Sequence, residues 1–103
     1  MNPTASPVVD LVSLAQVLRI AADVNRLHLL DRLGSDELTV TQVAERIGRP
    51  YQHTSSHLRA LWTERLVMRR RSGSHVLYRR ATHGNGELID LVLAWAHRAT
   101  RGA

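Results

Sequence analysis

The sequence predicts a mostly α-helical fold that carries one small β-hairpin, and three observations lead to this prediction. The chain has 103 residues, which fits one small domain. In five separate segments polar or apolar residues recur every three or four positions, which is the spacing of amphipathic helices. Between residues 67 and 80 the spacing changes to two, around a short stretch that contains glycine, as is typical of a hairpin.

The chain begins with residues 1–7, a stretch rich in proline and serine that we expect to be disordered. We expect one domain over residues 8–103. Its first helix is predicted over 8–22, where polar residues interrupt an apolar pattern every three or four positions. Asp23 can cap a second helix, Val24–Leu33, because its carboxylate can accept hydrogen bonds from the first free backbone N–H groups. A glycine follows this helix, as is common at helix ends.

Two short helices follow. Residues 35–38 are expected to form a turn, after which Thr39 opens the third helix and Gln42 completes a capping box. Pro50 suits the first turn of the fourth helix because proline is tolerated where no N–H is needed. The fourth helix is predicted to end near Glu64. Two residues separate it from the third helix, which is the spacing of a helix-turn-helix.

A hairpin and a final helix complete the chain. Strands are predicted over 67–71 and 76–80, and the final helix over 87–100. The apolar arc of the final helix is wider than one small core can use, and the first helix adds to this surplus. A symmetric dimer that contacts through the first and last helices would bury it. The order α-α-α-α-β-β-α, with the hairpin as a wing, is that of a winged helix-turn-helix.

Positive charge is concentrated in the middle of the chain. The formal net charge is +5, the isoelectric point is about 11.2, and all fourteen basic residues are Arg. Nine of these arginines and only one acidic residue, Glu64, lie in the range 46–80. This pattern predicts a polyanionic partner, either nucleic acid or an anionic membrane surface, and the alternative is a solvated basic face without a ligand. Single-strand and RNA binders usually need aromatic stacking platforms, and only 4% of the residues are aromatic, which counts against that class.

Several classes of protein are excluded by what the sequence lacks. The absence of cysteine excludes disulfides, thiolate metal sites and cysteine redox switches. We expect no enzyme, because the chain has no His-Glu-x-x-His motif, no phosphate-binding glycine loop and no carboxylate placed to orient the histidines of the basic helix. The longest strictly apolar run has six residues, and no signal peptide pattern is visible. We therefore expect a cytoplasmic protein and no membrane partner.

Four stretches of the chain resemble the ArsR/SmtB family of transcriptional regulators. Residues 23–30 (DVNRLHLL) are similar to the family's DPTRLRIL, and residues 38–48 (LTVTQVAERIG) to its LSVGELAEALG. Residues 54–61 (TSSHLRAL) resemble VSRHLKVL of the recognition helix, and residues 69–80 resemble the wing. The resemblance covers residues 20–80. It implies a winged helix-turn-helix homodimer that represses transcription by binding a specific double-stranded DNA operator.

The chain departs from the family pattern at three places. Asn25 replaces a Thr, and Pro50 stands where a Ser normally caps the recognition helix. The segment 38–40 occupies the place of the Cys-x-Cys found in the arsenic and cadmium sensors, so thiolate sensing of soft metals is excluded.

The resemblance assigns DNA binding to the start of the recognition helix and to the wing, because such a helix lies in the major groove with its early residues at base edges. Gln52 can pair with adenine, and Ser55 can reach a base or a phosphate, so these two are expected to set the sequence preference. Arg70 and Arg80 also belong to the wing. About half of all the wing arginines are expected to bind phosphate, since alternate side chains of a strand face one way. The candidates are Tyr51, Gln52, His53, Ser55, Ser56, His57 and Arg59 in the helix, and Arg69, Arg71 and Arg79 in the wing.

The sequence does not identify an effector, and a divalent metal is one alternative. A polar stripe runs along the final helix, and its imidazole and carboxylate groups are ligands for nickel or zinc. The family's zinc pattern is not reproduced, so a solvated polar face is the other interpretation. The candidate ligands are His83, Glu87, Asp90 and His97.

A second pair of histidines, His53 and His57, has a four-residue spacing that can hold zinc. The resemblance places both on the DNA side, where a metal would compete with DNA binding. The remaining alternative is a metal-independent regulator, or an architectural DNA-binding module, that responds to an organic ligand or a partner protein.

Overall fold

The structure is a computed structural model that describes residues 10–102, which form five helices and three short strands. In chain order the elements are α1 (Leu11–Ala21), α2 (Val24–Leu33), β1 (Leu38–Thr39), α3 (Val40–Ile47), α4 (Tyr51–Thr63), β2 (Val67–Ser72), β3 (His75–Arg80) and α5 (Asn85–Gly102). The strands form one antiparallel sheet in the order β1-β3-β2. The predicted layout of helices and hairpin is confirmed, with one additional strand. The segment 1–7, predicted to be disordered, lies outside the described residues.

The ends of the helices follow from local chemistry. The Asp23 carboxylate accepts hydrogen bonds from two backbone N–H groups of the first turn of α2, at 2.8 and 3.1 Å. Thr39 and Gln42 form the predicted capping box at the start of α3. Pro50, predicted in the first turn of α4, is instead the residue before the helix. Among the residues that the structure describes, no side chain caps this end or accepts a hydrogen bond from the first backbone N–H groups of α4.

The strand β1 was not predicted. Its two residues, Leu38 and Thr39, pair with Tyr78 and Leu77 of β3, whereas the sequence predicts only a turn over 35–38. A strand of two residues is too short to show a period, and its partner is distant in the chain. The β2–β3 hairpin is one residue longer at each inner end than predicted, which leaves a two-residue turn.

The helix α5 begins two residues before its predicted start because Gly86 lets it pack directly on the chain after β3. A Cβ atom on Gly86 would lie 1.9 Å from the carbonyl oxygen of Ala81, so only glycine fits there. The side chain of Asn85 donates a hydrogen bond of 2.7 Å to the carbonyl oxygen of Glu64, just after α4. These two contacts fix the start of α5 against the helix-turn-helix and the wing.

The core lies between the helices and one side of the sheet, and all five helices and both strands of the hairpin contribute to it. Burial of one side of α4 fixes the rotation of this helix, so its opposite side faces solvent. In the part of the chain described, no helix is both long and apolar enough to cross a bilayer. The largest fully buried side chains are Leu29, Leu30, Leu33, Val43, Thr54, Leu58, Leu61, Leu66, Val67 and Ile89. Large apolar side chains remain exposed on α1 and α5, namely Leu11, Val12, Leu14, Leu18, Leu91 and Trp95.

Candidate nucleic-acid interface

The solvent-facing side of α4 carries most of the predicted DNA-binding residues. Thr54, Leu58 and Leu61 are buried and anchor the helix on the core. The Thr54 hydroxyl also donates a hydrogen bond of 3.0 Å to the carbonyl oxygen of Pro50, which holds the start of the helix. Hydroxyl, amide and imidazole groups therefore point outward from the first two turns. The exposed or half-buried candidates are Tyr51, Gln52, His53, Ser55, Ser56 and Arg59.

The strand register determines which wing arginines face α4. Arg69 is directly opposite the buried Tyr78, and Arg71 follows two residues later in the same strand. Opposite residues of an antiparallel pair, and alternate residues of one strand, project on the same side of a sheet. Arg69 and Arg71 are therefore on the side that faces the helices. Arg79 is opposite Met68 and projects on the other side, so the three predicted wing residues do not form one group.

A cleft of about 470 Å³ lies between α4 and this side of the wing. Tyr51, Ser55, Arg69 and Arg71 are among the residues that line it. The guanidinium of Arg69 lies over the ring of Trp62, 3.7 Å from its centroid, which holds this charge beside α4. The cleft thus combines hydroxyl and guanidinium groups, which are the donors that bind phosphate oxygens.

Ion pairs occupy some of the arginines in the basic region and leave others unpaired. Arg70 donates two hydrogen bonds to Glu37, at 2.9 and 2.6 Å, and these hydrogen bonds lower the pKa of the Glu37 carboxyl below its usual value. Arg80 pairs with Asp90 of α5. These two wing arginines are therefore partly neutralised. Within residues 10–102, no carboxylate forms a salt bridge with Arg59, Arg69, Arg71 or Arg79.

His57 differs from the other α4 candidates because its ring is turned toward α2. The Nε of Arg26 donates a hydrogen bond to Nδ1 of His57 at 3.1 Å, and Nε2 of His57 lies 3.1 Å from Nε2 of His53. Burial lowers the pKa of His57 below its usual value, and the neighbouring His53 and Arg26 act in the same direction. Both ring nitrogens of His57 therefore have partners inside the protein.

The contact with Arg26 also shows whether the two histidines suit a zinc ion. A neutral imidazole that binds a metal through Nε2 carries its proton on Nδ1. The Nδ1 of His57 faces a guanidinium, which has no acceptor for that proton. A zinc ion between His53 and His57 would have to displace Arg26, so the residues present do not fit this metal.

The four candidate ligands of the final helix are not brought together. The Nε2 of His97 lies 2.7 Å from Oδ1 of Asp31 in α2, and Asp90 pairs with Arg80 at the end of β3. Among residues 10–102, no three His, Asp or Glu side chains are grouped closely enough to hold a metal ion. The other two candidates are exposed and lie near the start of α5, namely His83 and Glu87.

Three partners in this region were not predicted from the sequence, namely Arg26, Asp31 and Glu37. Asp31 and Glu37 are acidic residues whose contacts lie far along the chain, and no local pattern marks them. Arg26 belongs to the motif at 23–30, and this was the one signal that could have drawn attention to it.

No protein-family model matches the chain. The chain is 33% identical, over 97 residues, to the HTH-type transcriptional regulator KmtR of Mycobacterium tuberculosis. This alignment covers 93% of the chain and 75% of that protein.

Two solved structures are similar in fold. The first is the homodimeric winged helix-turn-helix DNA-binding domain of a possible ArsR-family transcriptional regulator from Mycobacterium bovis. It has 31% identity and a TM-score of 0.76, over 89% of this chain and 90% of that chain. The second is the antimony-specific transcriptional repressor AntR, with 23% identity and a TM-score of 0.74, over 98% of this chain and 96% of that chain.

Proposed function

Because the chain belongs to the ArsR family of winged helix-turn-helix transcriptional regulators, we propose that it is a dimeric repressor that binds a specific sequence of double-stranded DNA. Like these relatives, it is a transcriptional regulator and not an enzyme. A DNA-binding regulator acts where the DNA is, so the proposed location is the cytoplasm.

One observation carries the proposal, which is that α4 exposes its first two turns beside a cleft that contains two unpaired arginines. When the first two turns of α4 lie in the major groove, the phosphates of the DNA strand that borders the groove lie along the cleft. Arg79, on the other side of the wing, is assigned to a flanking phosphate, and His57 supports the helix from behind. Base edges are assigned to Gln52, His53 and Ser56, and phosphate to Tyr51, Arg59, Arg69 and Arg71. Ser55, expected from the sequence to help set the base preference, is assigned to phosphate because it lines the cleft.

The proposed dimer forms through α1 and α5, the terminal helices of a domain that we place at residues 8–103. Six large apolar side chains are exposed on these helices. Leu91 and Trp95 keep 69% and 64% of their surface exposed, which is unfavourable for a monomer in water. The similar Mycobacterium bovis domain is homodimeric, which supports the same assembly here. A two-fold dimer would place two α4 helices on successive half-sites of a palindromic operator.

Fluorescence anisotropy on the DNA upstream of the protein's own gene tests the proposal. A scrambled duplex of the same composition is the control. We expect binding to the upstream DNA to be about a thousandfold tighter than to the scrambled duplex. Gln52→Ala should reduce this ratio, whereas Arg71→Ala should weaken both affinities alike. Equal affinity of the parent protein for both duplexes would contradict a sequence-specific repressor and would favour an architectural module.

A divalent metal is a second candidate, as an effector, and one observation favours it. The imidazole of His97 and the carboxylate of Asp31 meet across α5 and α2, and these are ligand types of nickel and zinc. A complete site would need further ligands, which in a dimer the partner subunit would supply.

The same titration with a chelator, and then with nickel or zinc, tests this candidate. A metal-dependent loss of DNA affinity of tenfold or more (about 1.4 kcal/mol) supports a metal sensor, provided that His97→Ala abolishes it. Asp90→Ala tests in the same way whether the predicted polar stripe of the final helix contributes to a metal response. Unchanged affinity with metal favours regulation by an organic ligand or a partner protein.

A further inference from the structure

We propose that Trp62 is a positioning residue for DNA binding, whose ring holds the guanidinium of Arg69 in the cleft beside α4 in an arrangement that suits a DNA phosphate. Trp62 is not among the residues to which the sequence assigns DNA binding. This inference rests on the proposed function, because the phosphate belongs to the DNA that α4 binds. Its first step concerns the free protein and is independent of DNA.

The ring of Trp62 is a fixed surface at the end of the recognition helix. The residue lies in the last turn of α4, next to the fully buried Leu61. Its own side chain is partly buried and packs against the hydrophobic core. Close packing restricts the rotation of a large ring, so the part of the ring that remains exposed is a rigid plane.

The guanidinium of Arg69 lies on this plane. Its central carbon, Cζ, is 3.7 Å from the centroid of the Trp62 ring, which is the separation of two flat groups stacked face to face. If an N–H group pointed at the ring, a nitrogen would lie between the two and this carbon would be farther away. The N–H groups of a stacked guanidinium project sideways from the stack. Stacking thus holds the charge and uses none of its five donors.

No other group in residues 10–102 uses these donors. The guanidinium of Arg69 forms no hydrogen bond or salt bridge there, whereas Arg70 and Arg80 of the same hairpin are paired with carboxylates. An exposed arginine without partners samples many rotamers, and ordering it weakens any contact that it makes. The ring of Trp62 orders Arg69 before a ligand arrives, so less conformational entropy is lost on binding.

The position of Arg69 suits a phosphate. It lines the cleft together with Tyr51 and Ser55, whose hydroxyl groups are further donors. A guanidinium binds phosphate oxygens through two parallel N–H groups, a geometry that stacking on a ring leaves open. Phosphates are the same at every base pair, so the contribution of Trp62 to DNA binding is independent of sequence.

Arg65 provides an internal comparison, because it lies near the same ring but outside the cleft. Its Cζ is 4.5 Å from the ring centroid, and its Nη1 donates a hydrogen bond of 3.2 Å to the carbonyl oxygen of Trp62. It lines a separate cavity of about 480 Å³ together with Met68 and Arg79. The proposal therefore assigns the effect of Trp62 on DNA affinity to Arg69 and not to Arg65.

The stack can be detected in the free protein by NMR, since protons above the face of an aromatic ring resonate upfield of their usual position. We expect upfield signals from the guanidinium protons of Arg69 in the parent protein and in Trp62→Phe, which keeps an aromatic face. Trp62→Leu should return these signals to their usual position. Ordinary chemical shifts for Arg69 in the parent protein would overturn the proposal, and this result needs no variant.

Anisotropy titrations on the upstream DNA and on the scrambled duplex test the consequence for binding. Trp62→Leu should weaken binding to both duplexes by about three- to tenfold, and Trp62→Phe should recover most of this loss. The ratio of the two affinities should stay that of the parent protein, because a phosphate contact carries no sequence information. A merely structural role of Trp62 would lower this ratio, since a displaced α4 would lose its base contacts. Trp62→Met replaces Trp62→Leu if urea unfolding shows that the latter does not fold.

A double-mutant cycle identifies the residue through which Trp62 acts. Arg69→Ala should weaken DNA binding at least as much as Trp62→Leu, and the two changes together should weaken it no further than Arg69→Ala alone. Arg65→Ala is the matched control, since it removes a guanidinium from the same ring, and Trp62→Leu should keep its full effect in that background. Additive losses from Trp62→Leu and Arg69→Ala would contradict the proposal.

These readouts separate the inference from the proposed function. Equal affinity of the parent protein for both duplexes would contradict a sequence-specific repressor, while the NMR signals and the cycle would still decide whether Trp62 positions Arg69 for phosphate. Sequence-selective binding that Trp62→Leu leaves unchanged would contradict the role of Trp62 alone.

Discussion

The imidazole of His57 lies between a guanidinium and a second imidazole, and this position makes it sensitive to pH. Burial is the largest cause of its lowered pKa, followed by the charges of His53 and Arg26, whereas Asp23 acts in the opposite direction. Protonation would place a hydrogen on Nδ1, directly against the donor of Arg26. Acid therefore breaks the hydrogen bond that His57 accepts from Arg26.

The resulting prediction concerns stability. The folded chain binds the His57 proton less readily than the unfolded chain, so the free energy of unfolding should rise with pH between the lowered pKa and the usual 6.5. The contribution of neutral His57 to the free energy of unfolding is complete at pH values above that interval and is lost at pH values below it. Urea unfolding at a series of pH values between about 5 and 7.5 measures this slope. His57→Gln should reduce it, and equal slopes for parent and variant would contradict the assignment.

At the scale of elements, the start of α5 depends on one close contact. Gly86 allows α5 to touch Ala81, where a side chain would overlap the carbonyl oxygen. The wing bears both paired and unpaired arginines, so the arginine total overstates the charge available to DNA.

Gly86→Ala should lower the free energy of unfolding by about 2–3 kcal/mol, because the backbone must shift to accommodate the methyl group. Gly102→Ala is the matched control, since a Cβ there meets nothing within 4 Å, and it should change little. Chemical denaturation of both variants provides the measurement. A mild effect of Gly86→Ala would show that α5 can move away from the sheet at low cost.

Two neighbouring arginines of the wing, Arg70 and Arg71, should differ in how much they contribute to the salt dependence of DNA binding. Arg71→Ala should remove one phosphate contact and reduce the slope of log affinity against log salt by about 0.9. Arg70→Ala should change this slope less, because Arg70 is already paired with Glu37. Anisotropy titrations at several salt concentrations measure both slopes. A larger loss for Arg70 than for Arg71 would reverse the assignment of faces in the wing.

At the scale of the whole molecule, the exposed apolar side chains of α1 and α5 indicate that one chain is half of the functional unit. Leu91→Glu or Trp95→Glu should place a charge in the proposed dimer contact, shift the protein to monomer in light scattering, and weaken operator binding. Ala94 is exposed and lies on α5 beside Asp90 and His97 of the polar stripe, so Ala94→Glu adds the same charge there and should leave the dimer intact. Monomeric parent protein, or a dimer unaffected by the first two changes, would contradict this assembly.

Much of the candidate site could be predicted from the sequence, but the directions in which its side chains point could not. Motif and spacing identified α4 and the wing, since helix caps, glycine turns and apolar periods are properties of neighbouring residues. The direction of His57 toward α2, and the separation of Arg79 from Arg69, depend on how α4 and the strands are rotated in the fold. No local pattern carries that information.

By itself the sequence determined the order of the helices and hairpin, the basic region and the surplus apolar surface. These follow from interactions within a few residues, such as the capping box of Thr39 and Gln42, and from composition. Only the tertiary structure decided which charges remain free and which side chains orient others. Arg70 meets Glu37 and His97 meets Asp31 across long stretches of chain, because packing brings distant surfaces together once the core is buried.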